Sequence, residues 1–304
     1  MKASFEFNKC TICLSDENLT WEHVLPLSIG GLLEIKSQCQ ICNNDRFGTS
    51  ILPALKEYYP IRLAINSLRI QLPSLYNSIE HGSLYTAKDS FGKIRELIFR
   101  AGRLTTRVNK EKDGSLIYDS KEVENHIRNI LNKKGMSKEM IEKSLREHSE
   151  AKTGTDLILS SGMRVKKASY SEIWQKPGPS RLDHRVIALL AYNFLCLLKG
   201  NTIFVNHFDG IRDFLLNGNM TDQVKIEEFP YTNSYAPYHR LWIESENDST
   251  MVFILLFGSI VLKLSIKNVV IPGGNYIFIM DLLKRKIHSA MSFEEANNGE
   301  IFST

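Results

Sequence analysis

The sequence predicts an α+β chain, with a small N-terminal domain followed by a larger α+β domain. Three observations predict it. Two Cys-x-x-Cys pairs, Cys10/Cys13 and Cys39/Cys42, bracket the first stretch of the chain. The segment 185–198 is apolar nearly all round (Val186, Ile187, Leu189, Leu190, Phe194, Leu195, Leu197, Leu198), as a buried central helix is. The segments 238–266 and 269–279 are rich in β-branched and aromatic residues, which suits a sheet. The expected division is 1–58 and 59–304, the second part open to subdivision near 150–182.

The elements follow in order. A two-residue gap lets both sulfurs of a pair converge on one ion, so the four cysteines form a tetrahedral zinc site with no open position. Such a site is structural, and it substitutes for core that a domain this small cannot bury. Residues 8–13 read as a zinc knuckle at a strand end, 19–26 as a strand, Gly30-Gly31 as a turn, and 32–39 as a returning strand. A short helix is expected over 43–50, completing a treble-clef arrangement. Pro53, Pro60 and Pro73 surround a periodic stretch at 62–68, read as one short helix and a connector. Residues 91–118 read as a β-hairpin turning at Asp113-Gly114. Ser120 and Ser137 cap two helices, the first stopped by Gly135. Residues 150–180 hold Gly154, Gly162 and the Lys176-Pro177-Gly178-Pro179 turn, and read as loops or a linker. Asp183 caps the apolar helix and Gly200 ends it. A strand at 202–205 and a helix at 209–216, closed by Gly218, precede the C-terminal sheet.

Composition excludes some classes. At 304 residues, 43% hydrophobic and 24% charged, the chain is ordinary for a globular protein of two domains. Its net charge of +4 and pI near 8.7 are compatible with a polyanionic partner without demanding one. The opening residues lack the apolar core of a signal peptide. The run 251–266 is interrupted by Gly258 and Lys263 and is too short to span a membrane. Cys196 reads as a core residue, and free thiols with a cysteinyl metal site point to the cytoplasm.

Between the cysteine pairs stands Glu22-His23-Val24-Leu25-Pro26, then Gly30-Gly31, and Asn43 directly follows the last cysteine. This order resembles the zinc-containing ββα-metal type of HNH endonuclease, over about residues 8–50. The resemblance implies a metal-dependent phosphodiesterase. His23 is then the general base, since an imidazole near pKa 6.5 can deprotonate water at neutral pH. Glu22 and Asn43 are then ligands of a catalytic Mg²⁺ or Mn²⁺, a hard-oxygen pair by type. Adjacent strand residues face opposite ways, so Glu22 and His23 share a site only where the strand ends or distorts. The interval 32–38 lacks the asparagine that steadies the histidine in many relatives. Gln38 or a backbone carbonyl is left to do so.

The implied partner is nucleic acid, DNA favoured over RNA. A basic run at 93–112 offers Arg100, Arg103 and Arg107 as phosphate contacts, and a solvated sheet face explains the same residues equally well. Trp174, Tyr235 and Tyr238 can stack on bases or simply pack. Phage defence is an expectation from the resemblance alone. Two rivals remain: a non-catalytic zinc module that binds nucleic acid, and a C-terminal part that senses a regulatory ligand or partner protein.

Overall fold

The computed structural model describes residues 4–106, 110–118, 123–229, 232, 234–271 and 276–290. The chain is α+β throughout, and it forms two compact units. The first combines 1–79 with 178–304, and the second is 80–177. These cuts differ from the 58/59 division expected from sequence. The chain returns to the first unit at Pro177-Gly178, inside the Pro-Gly turn noted above.

The first unit opens with a three-stranded sheet ordered β1-β3-β2, from β1 (Ser4–Glu6), β2 (Leu19–His23) and β3 (Glu34–Cys39). Strand β2 stops at His23, three residues before Pro26. A 3₁₀ turn (Leu27–Ile29) and Gly30, at φ +94°, lead into β3. Gly31 permits a close approach, since a Cβ there would lie 1.7 Å from the Leu25 carbonyl oxygen. A π-helical segment (Ile41–Ile51) contains Cys42, the last cysteine of the cluster. Helices α1 (Leu52–Glu57), α2 (Tyr59–Ser67) and α3 (Pro73–Glu80) come next. The region holds three short helices where one was expected. Pro53, Pro60 and Pro73 sit in their first turns, where a missing N–H costs nothing.

In the second unit, β4 (Leu84–Asp89), β5 (Ile94–Arg100) and β6 (Arg103–Thr106) form an antiparallel sheet with the strand Tyr170–Trp174 on the far side of β4. The chain turns at 90–92 and at Ala101-Gly102, so the expected single hairpin is instead a meander. The Asp113-Gly114 turn does form, but β7 (Leu116–Tyr118) beyond it runs parallel to the strand Arg164–Lys167 in another sheet. Helix α4 (Val123–Lys133) buries Val123, Ile127 and Leu131. Its expected cap, Ser120, lies outside the described residues. Ser137 caps α5 (Lys138–Glu150) by accepting from the Met140 N–H at 3.3 Å. The expected loops at 150–180 are corrected to three strands: β8 (Thr155–Ile158), β9 (Arg164–Lys167) and β10 (Tyr170–Trp174). Their charged residues hid the strand pattern. Lys166, though buried, is neutralised by Glu111 at 2.6 Å and Asp113 at 3.4 Å.

Helix α6 (His184–Lys199) is the core of the first unit, and Asp183 caps it by accepting from the Arg185 N–H at 2.8 Å. Together with the 3₁₀ turn after it, the span His184–Phe204 is long and apolar enough to cross a membrane by composition, yet it is mostly buried in protein. The expected strand at 202–205 is a 3₁₀ turn (Gly200–Phe204), succeeded by a second (Asn206–Phe208) and by α7 (Asp209–Asn217). The last elements are β11 (Val224–Glu228), β12 (Tyr238–Glu246), β13 (Ser249–Leu256), β14 (Ile260–Lys267), β15 (Ile277–Asp281) and β16 (Lys286–Ala290). They make one antiparallel sheet ordered β11-β14-β13-β12-β15-β16. Strict alternation along β12 to β14 buries Leu241, Ile243, Val252, Ile254, Leu262 and Leu264 toward α6.

Cys10, Cys39 and Cys42 belong to this same core. Buried polar links fasten the N-terminal segment to it. The Tyr192 hydroxyl on α6 donates to the Thr11 carbonyl at 2.8 Å. Gln38 Nε2 donates to Asn193 Oδ1 at 2.9 Å. His239 on β12 meets the Ile29 carbonyl through Nε2 at 2.8 Å, while its Nδ1 accepts the Phe257 N–H at 3.1 Å. That pairing fixes a neutral imidazole, and burial pulls its pKa down to about 4.

Candidate active site and metal centre

The four cysteine sulfurs lie within 4.8 Å of one another, and Cys13 Sγ is 3.6 Å from Cys39 Sγ. Sulfurs bound tetrahedrally at about 2.3 Å from one zinc stand about 3.8 Å apart, so the cluster has the right size. Cys10, Cys39 and Cys42 are buried and Cys13 is exposed. Without a cation the thiols oppose one another. A hydrogen bond from Cys42 draws Cys10 down to about 4, and the same contact, with burial, pushes Cys42 far up. A divalent cation lets all four be thiolates. The donor set fits structural zinc.

The scaffold presents Glu22 and His23 at the end of β2. The register of β2 against β3 slips between Thr20 and Trp21, upstream of both residues, which pair regularly with Ile35 and Glu34; what sets His23 apart is that β2 ends there. Glu22 is half-buried beside Asn43. Burial raises its carboxyl to about 7, against hydrogen bonds from the His23 N–H and the Asn43 side chain. Asn43, at the start of the π-helical segment, also donates Nδ2 to Thr20 Oγ1 at 2.9 Å and to the Trp21 carbonyl at 3.4 Å. Thr20 Oγ1 is spent donating to the Gln38 carbonyl at 3.0 Å, so the amide faces β2 with its nitrogen. A cation at Glu22 would take Asn43 by the opposite atom, Oδ1.

His23 turns to a different neighbour. Its Nε2 lies 3.3 Å from Glu34 Oε1, directly across the strand pair. A neutral imidazole meets a carboxylate through an N–H, which leaves Nδ1 as the basic atom. Burial lowers the His23 pKa and the Glu34 charge partly restores it, so the ring is neutral at neutral pH. Glu34 is the residue that sequence reasoning missed. It sits in the interval searched for an asparagine, and its place opposite His23 is set by register. Gln38 stands opposite Thr20 rather than His23 and turns its Nε2 to Asn193 on α6. The histidine opens onto a cleft of about 690 Å³ lined by His23, Leu27, Gly31, Leu32, Glu34, Arg285, Lys286 and Ile287.

The basic run of the second unit divides into two parts. Arg95 pairs with Asp89 at 2.7 Å and with Glu111, and Lys93 with Glu111 at 3.1 Å. Arg100 and Arg103 face each other as exposed register partners beside the Ala101-Gly102 turn. Arg107 lies outside the described residues. Trp174 ends β10, half-exposed, and Tyr238 begins β12 rather than lying in a loop.

A four-cysteine centre, buried at Cys10, Cys39 and Cys42, brackets an acid-histidine pair on a ββα-like segment, as in a nuclease-type zinc module. Residues 10–59 match the family model described as HNH endonuclease. No curated protein and no solved structure matches the chain. The assignment therefore belongs to this segment, and it supports a nuclease or nucleic-acid-related function.

Proposed function

We propose that the protein is a metal-dependent endonuclease that hydrolyses phosphodiester bonds, DNA favoured over RNA. The observation that carries this reading is His23. Its Nε2 meets Glu34 at the mouth of a cleft, and it directly follows Glu22 at the end of the strand between the two cysteine pairs. Nδ1 of His23 takes the proton of the water that attacks phosphorus, and Glu34 holds Nε2–H so that Nδ1 faces the cleft. Glu22, half-buried and without a cation partner among the described residues, and Asn43 through Oδ1 would hold Mg²⁺ or Mn²⁺, which when bound neutralises charge growing on the phosphate and the leaving 3′ oxygen. The larger remainder of the chain selects where or when cleavage occurs, with Arg100 and Arg103 as an outlying phosphate contact. Action in the cytoplasm, in phage defence, completes the reading.

The alternative is a non-catalytic zinc module that binds nucleic acid. It is favoured by the Asn43 amide, which faces β2 with nitrogen rather than oxygen. Purified protein incubated with plasmid, single-stranded DNA and RNA, with Mn²⁺ or with EDTA, separates the two. Cutting that needs Mn²⁺ or Mg²⁺ supports the nuclease. Binding without metal-dependent cutting supports the alternative.

A further inference from the structure

The cleft at His23 is completed by a hairpin from the far end of the chain. The turn between β15 and β16 carries Lys284 and Arg285, and Lys286 opens β16; all three are exposed, and the last two line the cleft with His23 and Glu34. We propose that Arg285 and Lys286 bind the backbone phosphates of the nucleic-acid strand being cut, so that the C-terminal sheet is part of the substrate site. This rests on the nuclease reading.

The turn is built to hold these cations still. Asp281 Oδ1 accepts the N–H groups of Leu283 and Lys284, each at 2.9 Å. Leu282 is buried, and its N–H donates to the Pro237 carbonyl at 3.0 Å. Its side chain fills the notch at Gly30, where an added Cβ would stand 2.9 Å from Leu282 Cδ2. The glycine turn that follows the acid-histidine pair and the C-terminal hairpin are therefore interlocked. Arg285 adopts φ +50°, left-handed backbone that the turn imposes on a non-glycine residue.

Charge points the same way. Arg285 and Lys286 bring two basic side chains to the cleft against the single carboxyl of Glu34. Among the described residues no ion pair engages Arg285 or Lys286, whereas Lys93 and Arg95 are taken by Glu111 and Asp89. A guanidinium grips two phosphate oxygens at once, and an ammonium adds a point charge. The hydrophobic lining of Leu27, Leu32 and Ile287 lies beside these cations and suits the sugar and base edges of the same strand.

The test uses the full-length, zinc-loaded chain. Binding of fluorescein-labelled duplex DNA is titrated across a KCl series in a His23→Ala background, which removes cleavage. Each lost phosphate contact flattens the slope of log K against log salt by about 0.9 on duplex and about 0.7 on single strands. R285Q/K286Q is expected to flatten it by about 1.8 on duplex, two contacts together, while R285K/K286R keeps the parent slope. In the active enzyme R285Q/K286Q should raise KM. Both positions are exposed, so zinc content and Tm are expected to hold. A parent that cuts, with slope and KM unchanged in R285Q/K286Q, overturns the inference and leaves the nuclease reading standing. A slope change found in R100Q/R103Q and absent in R285Q/K286Q also overturns it. A protein that neither binds nor cuts any nucleic acid overturns both.

Discussion

Tyr192→Phe isolates the link between the apolar helix and the zinc knuckle. Tyr192 is fully buried, and its hydroxyl donates to the Thr11 carbonyl at 2.8 Å, between Cys10 and Cys13. The same oxygen accepts from Arg212 Nη1 at 3.3 Å. Phenylalanine keeps the ring and its packing and removes only the oxygen. Arg212 retains the Ile203 carbonyl at 2.9 Å and the Val205 carbonyl at 3.2 Å, so it loses little. The Thr11 carbonyl loses its buried side-chain donor, and a buried group left so costs about 1–3 kcal/mol. For a chain of 304 residues, unfolding with about 2.1 cal/mol/K per residue, that corresponds to a Tm lower by roughly 2–5 °C. The knuckle should also loosen, so zinc should transfer faster to a chromogenic chelator. Equilibrium denaturation and chelator transfer, run on parent and variant, read both effects. Stability within about 0.5 kcal/mol of the parent, with unchanged zinc release, would refute the argument that α6 holds the knuckle.

Three further outcomes are expected. Glu34→Gln should lower kcat, because the His23 ring loses its anchor. The acid limb of the rate profile should move to lower pH, since the carboxylate is what raises the His23 pKa; a profile that stays put removes Glu34 as a positioning residue. Gly31→Ala should destabilise the first unit by about 3 kcal/mol or more, because the 1.7 Å contact with the Leu25 oxygen is backbone and cannot yield; a variant with parental Tm contradicts this. His239 titrates at about 4 when folded and about 6.5 when unfolded, so its share of stability is complete above pH 6.5 and is lost as pH falls toward 4. That share is about 3 kcal/mol, and in urea titrations His239→Gln should show a correspondingly flatter decline over this window than the parent.

The N-terminal module was legible because its constraints are local. Cysteine spacing brings the four sulfurs together and glycines mark turns, although the strand expected over 19–26 stops at His23 and Pro26 instead opens the 3₁₀ turn. The apolar helix and the C-terminal sheet were legible from period and residue type, and Asp183, Gly200 and Gly218 marked ends that formed as expected. What escaped depends on partners distant in sequence. Glu34 faces His23 only because β2 pairs with β3 in one register. Arg285 and Lys286 reach the cleft only because Leu282 seats on Gly30, and nothing in a 284–286 basic run announces that. The strands at 155–174 were hidden because Lys166 is buried through pairing with Glu111 and Asp113, which no alternation rule reveals. The 202–205 segment has strand-like residues, yet as a 3₁₀ turn it connects α6 to α7 with no sheet edge to join.

The central claim is that His23 activates the nucleophile on a zinc-held scaffold. The most direct measurement compares Mn²⁺-dependent plasmid cleavage by parent and His23→Ala, with zinc content determined on the same samples. The account predicts one zinc per chain in both proteins and a rate lower by about 10²–10⁴ in the variant. A variant that retains its zinc and cuts as fast as the parent would contradict it.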